Sequence, residues 1–438
     1  MDVAPVYPVS YGEDTILFQD TDRRVIFYAE AGRPERLDSA ENLLQAALDS
    51  PIGAPRLEAL AHPGDTVSII VDDLTRPTPR QLLLKAVTER LEKIPDLHIR
   101  IILALGTHRP MTEEEIEGDL GVFARRYPVV NISYMDAARF AEAGRMADGT
   151  PIMVYREVLE SDLLIGLGNI VPHIAAGWGG GGKIIMPGVC GKETTDAIHI
   201  LSCLHQNVLE VCGNPDNLFR RTLEELAGKV GLAFIVNTVL DGEGNLLGVF
   251  AGDFIQAHRA GIAFARRYLC PVIPRGADIL IVSANPANAD FWQGAKPYIF
   301  AHFAVRRGGV MILLLSAEEG LCGGAPAHEA AIRTYYGRSG EEVRRAAAEK
   351  ETDDILGLGE AFLRLQTQGF CHTILVSRGL TESDAALLGF EKAGSLEDAV
   401  ARARRRVGAR AAIGIIPQGG DLLCQTEREV GVPAGESL

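Results

Sequence analysis

The sequence predicts an α/β protein of two domains, each a mainly parallel sheet flanked by helices, with the active site in the interdomain cleft. Three observations predict this. A chain of 438 residues exceeds what one hydrophobic core usually organises, and 47% of its residues are hydrophobic. Short runs rich in β-branched residues alternate with stretches of helical spacing, which is the pattern of strand–helix–strand units. A proline- and glycine-rich segment, Pro271 to Gly276, interrupts that alternation and marks a junction.

Taken in order, Asp65 to Val71 reads as a buried strand, Pro79 to Leu91 as a helix and His98 to Leu105 as a second strand. Met111 to Arg126 reads as one helix, opened by Thr112 with Glu115 three residues on, the spacing of a capping box. Ser161 to Leu167 is a third strand. Beyond the junction, Ala277–Ala284, Gly309–Ser316, Cys371–Ser377 and Ala411–Ile416 are strands, with helices over Gln293–Val305 and Leu396–Arg406 between them. The expected division is residues 1–272 for a catalytic, cofactor-tethering domain and 273–416 for a second α/β domain. The tail, about 417–438, is expected to pack back on the first domain.

A formal net charge of −15 makes a nucleic-acid backbone a poor partner. Arg404-Arg405-Arg406 reads as the solvated face of a helix. The N-terminus lacks the basic and apolar regions of a signal peptide, and no apolar run reaches the roughly 20 residues of a membrane span. Seven scattered cysteines with no C-x-x-C pair argue for a reducing compartment. A soluble, cytoplasmic protein is expected.

In a doubly wound sheet, ligands bind beyond the carboxyl ends of the strands. Three conspicuous segments fall there: Asp72-Asp73-Leu74-Thr75-Arg76-Pro77, Gly106-Thr107-His108-Arg109, and Pro172-His173 followed by Gly177-Trp178-Gly179-Gly180-Gly181-Gly182-Lys183. The last fits G-x-x-x-x-G-K, the first part of a P-loop. A P-loop then needs Ser or Thr and a helix facing the phosphates, whereas Ile184 follows here and Pro187-Gly188 interrupts any helix. The glycines suggest close backbone approach to a ligand, and their amides suit a phosphate without P-loop topology. Histidine is the natural acid or base near neutral pH, so His108 and His173, both after strand ends, are candidates for proton transfer. His199 lies downstream and could serve as a ligand. The absence of H-E-x-x-H argues against a zinc peptidase. Arg76 suits a carboxylate or phosphate. Gln293 and Lys296 share a helical face from which to reach an anionic substrate.

In order and approximate spacing these motifs resemble the nickel-dependent lactate racemase family. The resemblance continues through Gly213-Asn214-Pro215, Phe234-Ile235-Val236-Asn237, Ala251-Gly252-Asp253 and Gln293 with Lys296. It implies a racemase or epimerase that inverts C2 of a small 2-hydroxy acid by reversible hydride transfer, through a 2-keto acid. The implied cofactor is a nickel-pincer nucleotide, pyridinium-3,5-bisthiocarboxylic acid mononucleotide nickel, tethered to Lys183. His199 matches the protein ligand to nickel, and His108 and His173 match the catalytic pair. Arg76, Gln293, Lys296 and Trp292 match substrate-binding positions; Asp72, Thr75 and Gly179, Gly180, Gly181 and Gly182 fall to the cofactor. The implied partners are the enzymes that build the cofactor and insert nickel. The chain departs from the family pattern at Leu74, in the glycine run from Trp178 onward and at Trp292, which leaves open which 2-hydroxy acid fits. Two other readings stand beside this one: a nucleotide-dependent phosphotransferase using the Gly177–Lys183 loop, and a non-catalytic protein that binds a hydroxy acid or nucleotide.

Overall fold

The computed structural model describes residues 3–349 and 351–430. A hairpin of Val6–Tyr11 and Asp14–Gln19 precedes a short strand, β1 (Val25–Tyr28). The first sheet then forms from β2 (Thr66–Asp72), β3 (His98–Ala104), β4 (Val129–Val130), β5 (Leu163–Asn169), β6 (Leu232–Leu240) and β7 (Leu246–Gly252). Its spatial order is β7-β6-β5-β2-β3-β4, parallel except for β7. The second sheet takes β8 (Ala277–Ser283), β9 (Val305–Leu314), β10 (His372–Val376), β11 (Glu391–Ala393) and β12 (Ile413–Ile416). Its order is β11-β10-β9-β8-β12-β1, parallel throughout.

The strand period of two explains how the central strands serve two cores. Val67, Ile69 and Val71 of β2 face one buried cluster and Ile70 faces the other. All seven residues of β5 are buried, as a central parallel strand requires. The chain runs from β2 to β3 in one direction and places β5 on the opposite side of β2. The β2/β5 boundary is therefore a topological switch point, where loops diverge and leave a crevice.

Two expectations are corrected. The helix expected from Met111 to Arg126 is two helices, Glu113–Leu120 and Val122–Arg126, broken at Gly121, whose φ is +58°. The Thr112–Glu115 capping box is present. The chain's beginning, expected in the first domain, joins the second sheet: Val25 pairs with Ile413, and Val9, Tyr11 and Phe18 pack with Ile279, Ile281 and Ile312. Four half-buried residues give β1 no local signal that specifies a distant partner.

Near its end the chain meets residues from its first 275 positions. Val272 and Ile273 pair with Gln425 and Thr426, and Leu423 enters the cluster that holds Trp178, Val208 and Leu269. Residues 431–438 of the expected tail lie outside the described residues. Among the described residues no helix is long and apolar enough to cross a membrane.

Candidate active site

A cavity of about 290 Å³ opens at the carboxyl ends of β2, β3 and β5. The far wall comes from the second half of the chain. Asp72, Thr75, Arg76, His108, His173, Gly179, Gly180, Gly181, Lys183, His199, Trp292, Gln293 and Lys296 all line it. Of the residues given a site role from sequence, Gly182 does not: a Cβ there would meet Leu223 and Ala227 at 3.1 Å. Trp178, a candidate for reshaping the pocket, is also elsewhere. It is fully buried, with its indole N–H donated to the Gly213 carbonyl at 2.7 Å.

The β2 loop is organised by Arg80, at the start of α1 (Arg80–Leu91). Its guanidinium grips both oxygens of Asp119, at 2.5 and 2.6 Å, and reaches Asp72 at 3.3 Å and the carbonyls of Asp73 and Arg76. Burial pushes the Asp72 carboxyl up to about 6, against the pull of Arg80 and of the Thr78 hydroxyl. Removing a buried ion's partner typically costs about 3–5 kcal/mol. Arg80→Met is therefore expected to lower unfolding stability by that amount in a urea titration and to loosen the loop carrying Thr75 and Arg76.

Asp73 points at His108, whose Nδ1 lies 2.6 Å from Oδ2, while Thr75 donates its amide and hydroxyl to Oδ1. Burial would raise the Asp73 carboxyl, but the His108 and Thr75 hydrogen bonds and the Arg76 charge hold it down at about 2. Asp73 is thus a carboxylate, and His108 Nδ1 carries a proton toward it. The Nε2 side of His108 is left to the cavity.

His173 follows β5 and is set differently. Its Nδ1 accepts from the amides of Ala175 and Ala176 at 3.1 and 3.2 Å, and its Nε2 lies 3.2 Å from Lys183 Nζ. Burial, then the cations Lys183, Lys296, Arg76 and Arg220, push its ring well below the ordinary histidine range. Burial and the cations Arg76, Arg220 and Lys296 likewise push Lys183 well below the usual ammonium range. Among the described residues neither Lys183 nor Arg76 pairs with a carboxylate within 4 Å.

His199 sits on α2 (Lys192–His205). Its Nδ1 donates to the Thr195 carbonyl at 2.7 Å, which leaves Nε2 with a free lone pair, and burial lowers its pKa to about 4. This is how a metal-ligating imidazole is usually fixed: the outer N–H is held by the protein and the inner nitrogen is kept unprotonated. No group of three or more His, Cys, Asp or Glu among the described residues converges as a metal site.

The glycine run has a use other than the one its composition suggested. Gly177 has φ +71°, and a Cβ there would stand 1.9 Å from the Asn214 carbonyl oxygen; at Gly180 and Gly181 the obstacles are Asn237 and His258. The close approach is to the protein itself. Arg220, on α3 (Leu218–Val230), donates to the carbonyls of Ala176, Trp178 and Gly180, and His258 Nε2 lies 2.7 Å from the Gly179 carbonyl. A single 3₁₀ turn, Gly181–Ile184, follows in place of the long helix of a P-loop.

On the far wall, α4 (Phe291–Ala301) presents Trp292, Gln293 and Lys296. Lys296 Nζ pairs with Asp421 of the tail at 2.6 Å, and Trp292 stacks on His328 at 4.1 Å. The sequence reading did not single out Asn169, Asp421 or Glu360. At the end of β5, Asn169 Nδ2 is buried in the wall with no partner among the described residues, while its Oδ1 accepts from the Thr238 hydroxyl at 3.3 Å. Glu360, on α5 (Ile355–Thr367), lines the cavity as well, and burial pushes its carboxyl up to about 7. Folded Glu360 thus holds its proton more tightly than the unfolded chain does. Its contribution to stability is present below about pH 4.5 and is lost as pH rises through 7. Glu360→Gln is expected to gain on the wild type across that window, by up to about 3 kcal/mol. Melting curves at pH 5 and pH 8 check this; an equal difference at both would contradict it.

Residues 11–210 match the lactate racemase N-terminal domain family. The chain is 29% identical over 386 residues to a lactate racemase of Lactiplantibacillus plantarum, a match covering 87% of this chain and 90% of the other. It is also 29% identical over 319 residues to a lactate racemase of Thermoanaerobacterium thermosaccharolyticum, covering 71% and 74%. The fold matches the structure of the lactate racemase apoprotein of T. thermosaccharolyticum, with a TM-score of 0.86, 24% identity, and coverage of 96% of this chain and 100% of that one. It also matches a crystal structure of a Thermotoga maritima protein, with a TM-score of 0.69, 20% identity, and coverage of 91% and 100%. The chain is thus similar to lactate racemases in sequence over most of its length, and its N-terminal part matches their family model.

Proposed function

We propose that the protein is a racemase or epimerase inverting C2 of a small 2-hydroxy acid, with a nickel-pincer nucleotide tethered to Lys183. The observation that carries this reading is the convergence on one cavity of two histidines, an amine without an acid partner, an imidazole with a free nitrogen, and two cations on the far wall and β2 loop.

The residues suit the group. Lys183 supplies the tethering amine and His199 Nε2 the protein ligand to nickel. The unpartnered Asn169 Nδ2, a donor, and the cavity's cations suit the anionic nucleotide. Asp72, Thr75 and Gly179 to Gly181 form the adjoining wall, and Gly182 supports it from behind. When bound, the group supplies a reversible acceptor for hydride from C2, so inversion passes through a planar 2-keto acid. Arg76 and Lys296 hold the substrate carboxylate, Gln293 adds a hydrogen bond, and Trp292 bounds the space for the C3 substituent. His108 Nε2, its tautomer set by Asp73, removes the hydroxyl proton in one direction, and His173 serves in the other. The cavity is taken as the cleft between domains 1–272 and 273–416, with β1 and the tail crossing that division. The enzymes that build the cofactor and insert nickel act on or before this protein. The seven unpaired cysteines suit the cytoplasm.

The test is co-expression with the cofactor-building enzymes, then chiral chromatography on 2-hydroxy acids of increasing size. Inversion of at least one, with an adduct mapped to Lys183 and bound nickel, is expected. Protein that stays unmodified at Lys183, binds no nickel and inverts none of the acids sinks the reading.

A further inference from the structure

The protons around Lys183 can be counted. His173 Nδ1 receives the amide N–H groups of both Ala175 and Ala176, so that nitrogen presents a lone pair and no proton. A neutral imidazole carries one N–H, which therefore sits on Nε2. Nε2 faces Lys183 Nζ at 3.2 Å. An ammonium has three donors and no lone pair, so against an Nε2–H it would set donor against donor inside a desolvated wall. The contact is a hydrogen bond only when Lys183 is a free amine that accepts from His173.

The neighbours favour the same state. Arg76, Arg220 and Lys296 all disfavour another positive charge at Nζ. The carboxylic groups in the cavity wall do not offset these charges: Asp72 is held by Arg80 and Thr78, Asp73 by His108 and Thr75, and burial favours the uncharged form of Glu360. His199 directs its Nδ1–H to the Thr195 carbonyl as a hydrogen-bond donor.

We propose that in the unloaded protein His173 acts as a positioning residue that selects the uncharged, nucleophilic form of Lys183, so that the tethering lysine is reactive near neutral pH without a general base. This rests on the reading of Lys183 as the tether. It gives His173 a task before turnover begins, in addition to its part in proton transfer.

The experiment uses unloaded protein and trace acetic anhydride over pH 5–11, with labelling read peptide by peptide. Acetylation forms an N–C bond, expels acetate, and releases the amine proton, so the rate follows the free amine. Lys183 is expected to reach half-maximal labelling at least two pH units below the exposed Lys85 and Lys93 of the same molecules. In His173→Gln, whose side-chain oxygen accepts from an ammonium, the Lys183 midpoint is expected to rise by at least one unit, about tenfold less labelling at pH 7. A Lys183 midpoint equal to those of Lys85 and Lys93, or one unmoved by His173→Gln, overturns the proposal. Ring nitrogen shifts of ¹⁵N-histidine protein give an independent reading that needs no variant. A protonated Nε2 and bare Nδ1 on His173 are expected, and a protonated Nδ1 overturns the proposal. Failure here with an intact Lys183 adduct and racemisation in co-expressed protein leaves the functional reading standing. Failure of the adduct with these titrations as expected removes only that reading.

Discussion

Lys183→Met is expected to abolish racemisation while leaving the protein at least as stable as the wild type. The activity loss should reach the assay floor, on the order of 10⁶-fold or more, because on the proposed reading Lys183 is the tether of the group that provides the rate enhancement. Stability should behave oppositely. Lys183 lies among three cations with no acid partner among the described residues, so its amine contributes no ion pair there and its charged form would be costly to bury. Methionine matches its length and packs against the same wall. Intact mass, nickel content, chiral turnover and thermal melting together check the prediction. Any variant turnover, or a melting temperature several degrees lower, would count against it.

His108→Gln should lower turnover by roughly 10²–10⁴-fold with little change in KM, the usual scale of a lost acid or base. The two enantiomers of a 2-hydroxy acid have equal free energy, so kcat/KM must fall by the same factor in both directions. His173→Gln should produce a comparable fall, and the double variant should be far from additive, because inversion needs both partners in every cycle. Asp73→Asn separates orientation from chemistry: it keeps the shape and removes the carboxylate that sets the His108 tautomer. Progress curves from each pure enantiomer check all four proteins. An unchanged kcat, or a fall wholly in KM, would contradict the assignment.

How much of this was legible in the sequence depends on the range of the interactions concerned. Strands such as Thr66–Asp72 and Leu163–Asn169 announce themselves through β-branched runs, since burial on both faces leaves no room for polar residues. Gly and Pro punctuation after those strands located His108, His173 and Lys183. Gly121 ended a helix that spacing alone carried through, because its φ of +58° opposes helical continuation. Glu360 was not legible. A glutamate in a helix normally faces water, and only the packing of α5 against α2 turns it toward the cavity. Arg220 and Arg80 gave no signal either, since the carbonyls and carboxylates they serve are distant in sequence. Asp421 could be paired with Lys296 only once the tail's path was known.

The joining of β1 to β12 has a consequence during synthesis. Val25 leaves the ribosome early and must wait for Ile413, almost the entire chain later. At about 5–20 residues per second this interval is roughly 20–80 s. Once Gly252 is made the first sheet has its strands and can close its own core, whereas the opening hairpin and β1 still have no complete sheet to join. Val9, Tyr11 and Phe18 stay uncovered at least until Ile279, Ile281 and Ile312 are made, and Phe27 of β1 waits for Gly414. The nascent chain's exposure to chaperones and to aggregation is therefore concentrated in its first thirty residues, and a folded N-terminal fusion partner would shield the segment that waits longest.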